Sequence, residues 1–123
     1  MGHVFAEIEL VNAEDMGLAR HHVIGEEEIK KMSVKALVDT GAIMMCINED
    51  IQEQLQFPVI GTRKAQLAND QIIEVPFVSH VRINFQNRTS LCEALVLPGN
   101  SEVLLGSIPL ESMPARLPYF KLL

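Results

Sequence analysis

Ala36-Leu37-Val38-Asp39-Thr40-Gly41-Ala42 is the stretch on which the reading of this chain turns. An apolar run delivers one aspartate onto a tight Thr-Gly turn, and apolar residues resume at Ile43. A carboxylate surrounded by Ala, Leu, Val and Ile is poorly solvated when ionised, so it either keeps a proton or finds a close partner. Such a group is a structural accident or a working acid. The neighbouring sequence decides between the two.

The chain has 123 residues, which predicts one domain over 1–123 with roughly two thirds of its unfolded surface buried. Hydrophobic residues make up 48% of it, with no Trp and with Val, Ile and Leu in short blocks, a composition suited to a strand-rich core. The formal net charge of −6 argues against a nucleic-acid partner, because phosphate binding needs a basic patch and the sequence shows none. Cys46 and Cys92 stand far apart and outside metal-ligand spacing, so they read as free thiols of a reducing compartment. His21 and His22 are adjacent and diverge on regular structure. The Glu26-Glu27-Glu28 run, balanced by Lys30 and Lys31, reads as a solvated loop. A metal-binding protein built on these groups is a third-ranked reading, and neither metal nor cofactor is expected. No apolar run approaches the ~20 residues of a membrane span. The N-terminus lacks a signal-peptide pattern, and Ala6 stands where myristoylation wants Ser or Thr. The expectation is a soluble cytoplasmic protein without a membrane partner.

Working outward from Asp39, Val4 to Val11 alternates as a half-exposed strand, and Asn12 to Lys31 is a polar excursion with room for a helical turn. Met32 to Val38 is a strand with Val34, Ala36 and Val38 on one face. Ile43 to Ile47 is a second, and Asn48 caps a short helix with Ile51 and Leu55 on its inner side. Arg63 to Ala68 and Gln71 to Val75 flank the turn pair Asn69-Asp70 as a hairpin. Its second arm continues to Phe85 with a bend expected at Pro76. Asn87-Arg88 turns the chain into a strand over Ser90 to Leu97. Pro98-Gly99-Asn100 is a loop, Val103-Leu104-Leu105 a short buried strand, and Ser107 caps a helical turn through Met113. Strands dominate and helices are short: an all-β, closed or nearly closed architecture.

Three features in this order resemble the retropepsin-like aspartic proteases, most closely their small soluble bacterial members. They are Leu37-Val38-Asp39-Thr40-Gly41-Ala42, the hairpin around Asn69-Asp70, and Leu95-Val96-Leu97-Pro98 followed by Val103-Leu104-Leu105-Gly106. Ile108-Pro109-Leu110-Glu111 resembles the helix that follows. Asp-Thr-Gly alone is a weak signal. With an apolar strand before it, Ala after it and Leu-Leu-Gly about 65 residues downstream, the set is specific. The alternative, a β-turn whose Asp caps its own backbone, leaves that ordered set unexplained.

The resemblance implies a retropepsin-like acid-protease fold, a barrel-like closed sheet with a flap hairpin and one or two short helices. It implies Asp39, Thr40 and Gly41 as the catalytic loop. Ala42, Ile43, the flap-tip residues Ala68, Asn69 and Asp70, and Leu104 are the implied substrate contacts, with Met44 and Val78 as further pocket liners or, equally, core residues. The chemistry implied is peptide hydrolysis by two carboxylates that share one proton, because like charges about 3 Å apart cannot both ionise. The chain contains one Asp-Thr-Gly, so the second carboxylate has to come from a second copy: a homodimer acting on a peptide or an unfolded protein. Two departures stand out. Viral relatives often place Arg where this chain has Ser107. Bacterial relatives usually continue in a strand where this chain runs Pro114-Ala115-Arg116-Leu117-Pro118. The competing reading from another class is a retropepsin-like domain used for dimerisation or peptide binding without turnover.

Overall fold

Alternating side chains at the start of the chain build β1 (Val4–Asn12), which buries Ile8 and Leu10 and leaves Glu7 exposed. The structure, a computed structural model, describes residues 4–39, 44–67 and 69–106. The strands that follow are β2 (Lys31–Val38), β3 (Met45–Asn48), β4 (Val59–Gln66), β5 (Ile72–Phe85), β6 (Arg88–Leu97) and β7 (Val103–Leu105). They pair in the order β1-β2-β7-β3-β6-β5, and β5 returns to β1 through Leu10↔Ile83 and Asn12↔Val81. Six strands thereby close a barrel, while β4 hangs on β5 alone. The β2–β7 and β3–β6 pairs are parallel and the others antiparallel. The expected all-β, retropepsin-like closed sheet is what the chain forms.

The lumen is filled from every strand of the ring: Leu10, Ala36, Met45, Ile47, Val81, Ile83, Ala94 and Leu105 are each fully buried. Burying a side chain of Leu or Ile size stabilises by about 1.5–3 kcal/mol, so this cluster outweighs any single polar contact. Val78, open between pocket liner and core residue from sequence, is fully buried in the same cluster. The helix α2 (Glu49–Leu55) begins as the sequence predicts. Asn48 Oδ1 accepts from the Ile51 amide at 2.9 Å, and Ile51 and Leu55 add to the core.

The excursion after β1 holds more than a turn. It contains an eight-residue helix, α1 (Ala13–Arg20), and a single 3₁₀ turn at Glu26–Glu28. Asn12 organises it. Its Oδ1 accepts from the Asp15 amide at 3.1 Å, and its Nδ2 donates to the carbonyls of Leu55 (2.7 Å) and Gln56 (3.2 Å) at the end of α2. Asp15, itself buried, accepts from the Lys30 amide and pairs with Lys30 Nζ, both at 2.9 Å. One polar cluster therefore ties the end of β1, α1, the start of β2 and the end of α2. Sequence pattern misses it because Asn12 finds its partners 43 and 44 positions away and Asp15 finds Lys30 15 positions away.

The second arm of the hairpin does not bend at Pro76. That residue pairs with Thr62 inside β5, where no β6 residue lies opposite, so its missing N–H costs no ladder bond on that side. The irregularity falls between Val78 and Val81, where the register against β6 shifts and His80 takes φ 62°. The β5–β6 turn is likewise Gln86-Asn87, one residue earlier than expected, and Arg88 already pairs with Phe85. Past β6, Gly99 adopts φ 64° and its amide donates to Glu49 Oε1 at 2.6 Å, while Asn48 Nδ2 donates to the Ser101 carbonyl at 2.8 Å. These bonds fasten the 98–102 loop to the start of α2 and so aim β7 between β2 and β3. The expected helical turn after Ser107 lies outside the described residues.

Candidate active site

β2 and β7 run parallel and end together, with Val38 opposite Leu105. The next residue on β2 is Asp39, whose amide donates to the Leu105 carbonyl at 3.1 Å. That bond extends the ladder one step and fixes the point at which the aspartate leaves the sheet. Asp39 is half-buried there, less enclosed than its apolar neighbours suggest. On the other side of β7, Cys46 of β3 pairs with Leu104, and Leu104 in turn pairs with Leu37. Gly106, buried, follows immediately. The Leu-Leu-Gly element and the Asp-bearing strand are thus neighbours in space, as the resemblance implies.

Cys46 belongs to this site, although its residue type gave no such indication. Its Sγ lies 4.0 Å from the Met44 carbonyl, and the side chain is buried. Burial first, and then the charge of Asp39, push the thiol above its usual range. Cys46 therefore stays protonated as a small, neutral neighbour of the aspartate. The signal available in the sequence is alternation along the strand that resumes after the loop, which puts Cys46 on the face opposite Met45 and Ile47.

Asn69 and Asp70 are exposed at the tip of the β4–β5 hairpin, where their bonds are local. The Gln71 amide donates to Asn69 Oδ1 at 3.0 Å, the Asp70 amide to the Leu67 carbonyl at 2.9 Å, and Gln66 Nε2 to Asp70 Oδ1 at 3.3 Å. Asp70 has φ 66°, the left-handed conformation anticipated for this turn pair. Thr40, Gly41, Ala42, Ile43 and Ala68 lie outside the described residues. Leu104 is half-buried beside the Asp39 strand.

Elsewhere, His21 and His22 are exposed beyond α1. Among the described residues no three His, Cys, Asp or Glu side chains gather as a metal site. No helix among them is long and apolar enough to cross a membrane. Two surface concavities of about 510 Å³ each are lined by Glu7, Glu9, Ser33 and Asn84 in one case and by Lys35, Asp50, Gln54 and Glu102 in the other. Neither contains Asp39.

A search of curated proteins gives no match. A family model described as aspartyl protease matches residues 26–107, two thirds of the chain, from the 3₁₀ turn before β2 to just past Gly106. With Asp39 at the shared exit of two parallel strands inside a closed barrel, and with that match spanning the strands that hold it, the chain belongs to the aspartyl protease family.

Proposed function

We propose that the protein is an aspartic endopeptidase that works as a homodimer, each copy supplying one Asp39. The observation that carries this reading is the half-buried Asp39 held at the joint end of β2 and β7, within the stretch that matches the aspartyl protease family. One such carboxylate per chain is half of the required pair, so the two meet across a two-fold axis about 3 Å apart.

The ionised member takes a proton from a water molecule as its oxygen attacks the scissile carbonyl carbon. The protonated member gives its proton to the carbonyl oxygen, forming a tetrahedral diol. Collapse returns a proton to a carboxylate, protonates the leaving nitrogen and breaks the C–N bond. Thr40 and Gly41 complete the proposed catalytic loop that begins at Asp39. The β4–β5 hairpin acts as the flap. Ala68, Asn69, Asp70, Ala42, Ile43 and Leu104 are the proposed contacts of an extended peptide held largely by main-chain bonds. Free Cys46 and Cys92 support a reducing, cytoplasmic setting.

The test is cleavage of an unfolded protein or a peptide library at mildly acidic pH by the chain and by Asp39→Asn. The amide can neither share the proton nor activate water, so cleavage is abolished. Full-rate cleavage by that variant removes Asp39 from the mechanism. Tight binding of a transition-state mimic with no turnover on any peptide returns the protein to a non-catalytic binding role.

A further inference from the structure

Arg63 is a cation positioned ahead of any partner. Its guanidinium lies over the Phe77 ring, 4.2 Å from the centroid, and Nη1 donates to the Thr62 carbonyl at 2.9 Å. Phe77 is buried, so the surface on which the guanidinium rests is fixed by the core. Stacking occupies a face of the guanidinium and leaves its in-plane N–H groups free, and only one of the five meets an acceptor among the described residues. No carboxylate lies within ion-pair distance of it among those residues, in a chain of net charge −6. Lys30, by contrast, is neutralised by Asp15.

The register defines the surroundings. Gly61 is opposite Phe77, Arg63 opposite Val75, and Ala65 opposite Ile73, so these six share one face of the hairpin. Val75 and Phe77 are buried, whereas Thr62, Lys64, Gln66, Ile72, Glu74 and Pro76 on the other face are all exposed. Arg63, itself exposed, therefore lies on the face of Phe77, which the pairings Phe77↔Leu95, Cys46↔Leu95, Cys46↔Leu104 and Leu37↔Leu104 carry toward the Asp39 end of β2, opposite the face on which Val78 and Ala94 fill the barrel. On β4 it is flanked by Gly61 and Ala65, which leave it the tall polar group on a low surface.

We propose that Arg63 is a specificity-determining residue that selects a carboxylate side chain, Asp or Glu, in the extended peptide held by the β4–β5 hairpin. The proposal rests on the peptide-binding part of the function above and not on turnover. A planar guanidinium already oriented by a ring matches a carboxylate in a two-pronged geometry that a lysine ammonium lacks. An amide or an apolar side chain at the same place leaves the cation without a counter-charge.

The experiment is capture of a randomised extended-peptide library on the full chain carrying Asp39→Asn, so that nothing is cut, with and without Arg63→Gln. Asp and Glu are expected to be enriched about tenfold at one fixed peptide position, and Arg63→Gln is expected to remove that enrichment. Arg63→Lys should restore only part of it, and Arg63→Glu should turn the preference to Lys or Arg. Capture without acidic enrichment, no capture at all, or enrichment that survives Arg63→Gln overturns the proposal. Cleavage by the unsubstituted chain is scored separately. Acidic enrichment without cleavage upholds Arg63 and sinks the endopeptidase, and cleavage without enrichment does the reverse.

Discussion

Asp39 owes its place to a hydrogen bond that does not involve its side chain. The amide-to-Leu105 bond sets where the residue leaves the sheet, and the carboxylate follows. The same scale holds the two cysteines, which differ in consequence. Cys46 is screened by burial beside Asp39. Cys92, half-buried on β6, has its thiol pushed from 9.0 up to about 12, by burial first and by neighbouring Glu93 second. The raised value favours the protonated thiol in the folded state. Its contribution to stability is whole below pH 9 and is lost as pH climbs toward 12. Stability should thus fall through that window in denaturant titrations, and Cys92→Ala should flatten the slope. At pH 8 the thiolate fraction of Cys92 is about a thousandfold below that of an ordinary thiol, so alkylation should be slow by a similar factor until the chain unfolds. Fast native-state labelling at Cys92 would contradict this. At this scale the sequence was half legible. Asp39 announced itself by motif, whereas Cys46 and Arg63 did not, because a neighbour across a sheet leaves no mark along the chain.

At the scale of elements, local chemistry reads well where the partner is close in sequence. The cap of Asn48 on α2, the burial of Ile51 and Leu55, and the Asn69-Asp70 turn all follow from residues within a few positions. Where partners are distant, the reading missed. Pro76 looked like a bend, but whether Pro interrupts a strand depends on which neighbour lies beside it, and here β6 has already diverged. The excursion after β1 gave weak periodicity. Its helix is held less by an apolar stripe than by Asn12, only 1% exposed. Asn12→Ala removes the α1 cap and leaves the Leu55 carbonyl buried without its donor. Adding a cap of ~1 kcal/mol to an unsatisfied buried group of 1–3 kcal/mol gives an expected loss of about 2–4 kcal/mol. A urea midpoint shift with unchanged slope would measure it, and a loss under about 0.5 kcal/mol would mean the cluster is dispensable.

The whole molecule was the easiest scale to read and the hardest to complete. Closure of an all-β ring follows from short apolar strands and frequent turns. The order β1-β2-β7-β3-β6-β5, with two parallel pairs among antiparallel ones, was not read from the sequence, because pairings between distant strands leave no local pattern. The proposed second copy leaves its own arithmetic. If each active unit needs two Asp39 carboxylates, mixing the chain with an equal amount of Asp39→Asn after subunit exchange leaves about one quarter of the dimers intact. Total activity should fall to about one quarter of that of an all-unsubstituted sample, against about one half if each chain works alone. A steady-state assay after a dissociation and reassembly step distinguishes the two.

The return of β5 to β1 carries a practical consequence. The aspartyl protease match begins at residue 26, after β1 has ended, yet β1 is the hoop that joins β2 to β5. A fragment cut to the matched boundaries would keep Asp39 and lose the hoop. It would bare two rows of backbone donors and acceptors that now satisfy each other through nine residues, and such rows recruit whatever extended chain they meet. The recognisable part of this protein and its smallest self-sufficient part are different lengths of chain.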